Sequence, residues 1–159
     1  MGADIHCYCQ TKDSLNDTGW YTVPIYTIYE NQIELVSPYN SRNYEVFGWL
    51  TNGLVRCDMP EELYPIDARG LPYDLNDNDN LIGKELGYWD NVGFCQSCVT
   101  LDKVIAHYKK LKAFAATHEE AQYLVEFVEV FIDKIHNFIN ILYPWKQNDE
   151  IRIIYWFDN

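Results

Sequence analysis

Helical periodicity fills residues 100–142 almost without a break, and strand-like patterning is confined to segments on either side of it. Thr100 is a natural N-cap, Asp102 sits in the first turn, and Val104, His107-Tyr108, Leu111 and Phe114 follow at helical spacing. Thr117 is placed to cap a second helix with Glu119-Glu120 at its positive end. Its stripe of Leu124, Phe127-Val128, Phe131, Ile135, Phe138 and Leu142 runs to Pro144. Two such stripes need a partner surface, and the chain ends supply it. Residues 3–11 alternate, with Asp4, His6 and Tyr8 on one face and Ile5, Cys7 and Cys9 on the other, and residues 151–157 read as a strand. The pattern predicts an α+β fold: a small, mainly antiparallel sheet that includes both terminal strands, with two long C-terminal-half helices packed on it. No internal repeat or boundary divides residues 1–159, so one domain is expected.

Between these elements, residues 20–29 read as a second strand, pushed towards an edge by Pro24, and residues 33–36 extend a hairpin. Residues 43–51 read as a short helix with Tyr44, Phe47 and Trp49-Leu50 on its apolar side, stopped by Asn52-Gly53. From Arg56 to Gly93 the periodicity fails. Pro60, Pro65, Gly70, Pro72, Gly83, Gly87 and the run Asn76-Asp77-Asn78-Asp79-Asn80 mark a long irregular segment of the kind that carries function.

Charge narrows the partners. Twelve Lys and Arg stand against 24 Asp and Glu, a formal net charge of -12, which repels a nucleic-acid backbone and attracts a basic protein surface. The most apolar stretch, residues 123–142, is interrupted by Glu126, Glu129, Asp133, Lys134 and His136, so no membrane span is expected. The opening residues bring Asp4 and His6 where a secretory leader would be apolar. Five cysteines without secretory context favour thiols or metal ligands over disulfides.

The sharpest chemical signal is Asp4-Ile5-His6, a carboxylate and an imidazole two residues apart on one strand face, able to converge on a metal ion, although such a pair standing alone is more often coincidental or simply hydrogen-bonded. Cys95-Gln96-Ser97-Cys98 adds the C-x-x-C spacing with which two thiolates grip Zn²⁺. Completed by Asp4 and His6, it would make a structural zinc site. Two other readings of the pair stay open: small buried residues, and a redox pair, since Cys98 lies just before the Thr100 N-cap. Cys7 and Cys9 face away from His6 as core residues, Cys57 reads as a buried thiol, and His107, His118 and His136 read as surface or cap residues. Arg42 and Arg69 are scarce cations that could pair with carboxylates near the site or hold a phosphate, a structural ion pair with a loop being the simplest role. No phosphate loop, nucleophile elbow or Ser-His-Asp order is present in the sequence.

Several fragments in order carry a resemblance: Met1-Gly2-Ala3-Asp4-Ile5-His6, Arg42-Asn43-Tyr44-x-x-Phe47, Arg69-Gly70-Leu71-Pro72, Ser97-x-x-Thr100-Leu101 and Tyr155-Trp156-Phe157-Asp158-Asn159. Together they span the chain, which resembles small phage and prophage proteins that begin Met-Gly-x-Asp-Ile-His. Those proteins read Gly-His-Ser-x-Ser-Trp where this chain has Gly93-Phe94-Cys95-Gln96-Ser97-Cys98, so Phe94 replaces a histidine and two thiols are gained. The resemblance extends to Cas9-inhibiting (type II-A) anti-CRISPR proteins. It implies a binding protein of the host bacterial cytoplasm, built around a structural zinc, that blocks nucleic-acid loading by a basic Cas9-type nuclease. On that reading Asp74, Asp77 and Asp79 of the 74–80 loop and the Asp/Glu-rich helix faces would dock on the nuclease, with exposed tyrosines as anchors and no direct contact to nucleic acid or membrane. The alternative is a metal-dependent hydrolase in which Asp4 and His6 hold the ion that activates a water. The sequence leaves enzymatic activity open and weights it below binding.

Overall fold

The computed structural model describes residues 3–12, 19–53, 57–66, 70–75, 81–89 and 93–158. Among the described residues six strands and four α-helices run in the order β1 (Asp4–Lys12), β2 (Trp20–Thr22), β3 (Tyr26–Tyr29), β4 (Gln32–Leu35), α1 (Tyr44–Leu50), α2 (Leu81–Trp89), β5 (Phe94–Thr100), α3 (Leu101–Ala115), α4 (Gln122–Leu142) and β6 (Ile151–Asp158). The fold is α+β, as the distribution of periodicities requires. Four strands form one antiparallel sheet in the order β2-β1-β6-β5, with both terminal strands at its centre, and β3-β4 form a separate ribbon.

Alternation along β1 and β6 gives the sheet two unlike faces. With Ile5 opposite Phe157, Cys7 opposite Tyr155 and Cys9 opposite Ile153, one face is wholly apolar. Onto it pack Phe47 and Leu50 of α1, Val104 and Leu111 of α3, and Val128, Phe131 and Ile135 of α4, all fully buried. Each such side chain gains about 1.5–3 kcal/mol from leaving water, so this layer supplies most of the cohesion. Helix α1 is tied down by its buried polar groups: the Tyr155 hydroxyl donates to the Leu50 carbonyl at 2.7 Å and the Trp49 indole to the Leu63 carbonyl at 2.8 Å. Asn43 caps its start by accepting from the Val46 amide, and Asn52-Gly53 end it, both at positive φ. Gly53 is required there, because a Cβ would lie 2.6 Å from the Tyr64 hydroxyl.

Several local expectations are revised. Residues 20–29 are two strands in different sheets, because the chain turns away at Pro24 after β2 and the register of β3 is with β4. The segment read as irregular holds α2, whose Gly83 and Gly87 mask its periodicity. Residues 94–100 form β5, distorted by a bulge between Phe94 and Ser97 where Cys95 takes φ +55°. Thr117 does not cap α4, which starts at Gln122 after a 3-10 turn over Glu119–Ala121; its hydroxyl donates instead to the Phe114 carbonyl.

Candidate functional site

The second face of the sheet carries Asp4, His6, Tyr8 and Gln10 of β1 beside Arg152, Ile154, Trp156 and Asp158 of β6. Its cover is thin. Leu35 of β4, Leu75 and Ile82 of α2 close over Tyr8, Ile154 and Trp156 as a small apolar cluster. Beyond that cluster the face opens into a cleft of about 430 Å³ between α2 and β4, lined by His6, Tyr8, Ile33, Glu34, Lys84 and Glu85 among others.

Each predicted ligand on β1 is held by a protein partner. The His6 ring donates from Nε2 to Asp158 Oδ2 at 2.9 Å and stacks on Trp156, with ring centroids 5.5 Å apart and planes within 16°. Asp4 is gripped by the Arg42 guanidinium, from Nη2 to Oδ2 at 2.7 Å and also from Nε. That hydrogen bond lowers the Asp4 carboxyl below its ordinary value. Arg42 thus pairs with a carboxylate beside the site, in the role its scarcity suggested; Arg69 lies outside the described residues.

The thiols do not join them. Strand β6 separates β1 from β5, about 10 Å apart at two strand spacings, and Trp156 stands opposite His6 in that gap. Cys98 packs on the small cluster of the second face, whereas Cys95, on the bulge, packs against the helix-covered core. The four residues Asp4, His6, Cys95 and Cys98 are therefore not brought to one point. Among the described residues no group of three or more His, Cys, Asp and Glu side chains is placed to hold a metal ion. The C-x-x-C spacing misleads because residues three apart in a strand point to opposite faces, and this bulge does not reunite them.

The redox reading also loses its geometry: both thiols lie within β5 before α3 begins, and burial pushes Cys98 up to about 11. Cys7 and Cys9 are buried core thiols, raised by desolvation, and half-buried Cys57 is pushed up to about 11. His107 donates to the Lys103 carbonyl of its own helix, His136 to Asn148, and His118 stacks on Phe114 at 3.7 Å.

Of the predicted docking acids, Asp74 faces inward. It accepts from Arg152 Nη1 at 2.8 Å, while Arg152 also donates from Nε to Gln10 at 2.7 Å and lies over the Trp20 ring. Its carboxylate neutralises a buried guanidinium, which is costly to leave unpaired. Asp77 and Asp79 lie outside the described residues.

The cleft itself was missed in the sequence because Glu34 and Glu85 fall in segments without motif. Burial and the charge of Glu34 raise the Glu85 carboxyl, with His6 and the Tyr8 hydroxyl pulling the other way. Burial foremost, with Glu85 second, raises the Tyr8 phenol. The surroundings hold Tyr8 as a neutral hydrogen-bond donor.

The remaining acids are unevenly spread. Glu126, Glu129 and Asp133 are exposed along one side of α4, continuing a line begun by Glu119 and Glu120, with Tyr123 and Val130 exposed among them. The exposed side of neighbouring α3 carries Lys103, Lys109, Lys110 and Lys112. Among the described residues no helix is long and apolar enough to cross a membrane. No family model, curated protein or solved structure matches the chain.

Proposed function

We propose that the chain is a binding protein that occupies a basic, nucleic-acid-binding groove of a protein partner, a Cas9-type nuclease on the resemblance above, and so blocks nucleic-acid loading. The observation that carries this reading is the row of carboxylates on α4. Glu126, Glu129 and Asp133 follow the i, i+3, i+7 pattern that keeps side chains on one helical face, over a rise of about 10 Å. A rigid line of negative charge with exposed Tyr123 and Val130 beside the carboxylates supplies both steering and apolar contact. Of the acidic surfaces expected to dock, this helix face carries the proposal, because Asp74 is engaged with Arg152.

Isothermal titration against a Cas9-type nuclease at low salt tests the proposal. We expect binding that weakens as salt rises, and a loss of at least about tenfold in affinity for the triple variant Glu126→Lys, Glu129→Lys, Asp133→Lys. All three residues are exposed, so the variant should keep the native circular dichroism. No heat at low salt, or unchanged affinity of the triple variant, overturns it.

A further inference from the structure

A second surface lies on a different part of the molecule. The β3-β4 ribbon turns through Glu30 and Asn31, both at positive φ, the conformation of a two-residue hairpin whose twist matches its strands. Its register sets Ile28 opposite Ile33 and Tyr26 opposite Leu35, so these four share one face. At the inner end Leu35 is buried in the small cluster under α2, whereas Ile28 and Ile33 are 75% and 74% exposed. The apolar strip thus begins in the core and runs outward, past the cleft that Ile33, Glu34 and Glu85 line. A two-stranded ribbon is marginal by itself, and directly opposed, solvent-facing isoleucines give it little reason to persist unless something covers them.

The charge around the strip is mostly negative. Glu30 and Glu34 stand on the ribbon, Glu85 faces it across the cleft with Lys84 beside it, and no Lys or Arg occurs between Lys12 and Arg42. A second copy of the chain would bring the same acids against themselves. The complementary occupant is a segment with apolar side chains along one side and basic residues beside them.

We infer that the apolar face of the β3-β4 hairpin, with the cleft behind it, is a docking groove for a basic amphipathic segment of a partner protein, one arginine of which enters the cleft between Glu34 and Glu85. The planar guanidinium is the basic group suited to this place, since it can meet two carboxylates from two walls while lying against the Tyr8 and His6 rings. The groove is distinct from the carboxylate row of α4 and does not depend on the identity of the nuclease.

The test uses the whole chain, isotopically labelled, and a synthetic helical peptide of leucines on one side and arginines flanking them. Amide shifts on adding the peptide should concentrate at residues 26–35 and 81–87. Replacing its arginines by glutamines should weaken binding about tenfold, and Glu34→Gln with Glu85→Gln should do the same. Ile28→Ser with Ile33→Ser should abolish the shifts while leaving the circular dichroism and thermal midpoint of the free protein unchanged. Shifts confined to α4, or equal affinity for the variants, overturn the inference. So does a wild-type dimer in sedimentation that Ile28→Ser with Ile33→Ser dissociates, because a second copy is then the occupant. Peptide docking here with no nuclease binding would remove the proposed function and leave this groove standing.

Discussion

The two faces of the central sheet are built from alternate residues of the same two strands, yet they differ in almost every physical respect. The face bearing Ile5, Cys7, Ile153, Tyr155 and Phe157 is apolar and sealed by three helices. The face bearing Asp4, His6, Tyr8, Arg152, Trp156 and Asp158 is an assembly of hydrogen bonds, ion pairs and stacked rings under a cover of one short helix, a ribbon and a turn. The first stabilises through area and shape. The second orders side chains through specific partners and leaves a cleft open. Adaptable chemistry can accumulate on the second face because the first has already secured the fold.

The difference can be broken most severely from the sealed side. Phe131→Ala, at a fully buried position, should lower unfolding free energy by about 3–5 kcal/mol in a denaturant titration. On the open side the largest loss should come from Asp74→Asn, which leaves the buried Arg152 charge without its counterion, at about 2–3 kcal/mol. His6→Ala removes one hydrogen bond and one stacked pair and should cost about 1–2 kcal/mol. A value as large as that for Phe131 would show that the polar network, and not the helix-covered core, holds the termini together.

Titration sharpens the contrast within the open face. The Asp4 carboxyl is lowered by Arg42, so its contribution is fully present above the ordinary value of 3.8 and fades as pH falls through the lower folded value. Glu85 runs the other way. Its folded value is raised, so its ionisation opposes folding, and stability associated with its protonated form is lost as pH rises through that value. Glu85→Gln should therefore raise the thermal midpoint at neutral pH, with the gain vanishing below the ordinary glutamate value of 4.5. Asp4→Asn should lower it at neutral pH and converge with wild type in acid. The smallest effect is expected at the thiols. Cys95→Ser with Cys98→Ser should leave the zinc content of the purified protein equal to that of wild type, because the two sulfurs pack on opposite faces. A full equivalent of zinc lost in the variant would show that β5 refolds around metal.

What the sequence discloses follows the range of the forces involved. The alternation of β1 and the stripe of α4 are local periodicities, and both appear as read, with Asp4, His6 and Tyr8 sharing a face. Helix α2 escapes because two glycines interrupt nine residues, and β5 because its bulge breaks period two. The partners of the site are farther still. Asp158 reaches His6 across 152 positions and Arg42 reaches Asp4 across 38, and no local pattern encodes either meeting. The C-x-x-C spacing fails for the opposite reason: the motif is local and implies convergence, but the strand that carries it sends the thiols apart.

Of the two strands that pair on both sides, β1 and β6, the second follows every other described element in chain order. On a ribosome the sheet cannot close while residues 151–158 are still unmade, so β1, paired locally with β2, must wait for its second mate, translated about 150 codons later. Its closure carries a large loop entropy and belongs to the slow, high-contact-order class of folding reactions. Until then the stripes of α3 and α4 lack the sheet face on which they pack in the finished fold.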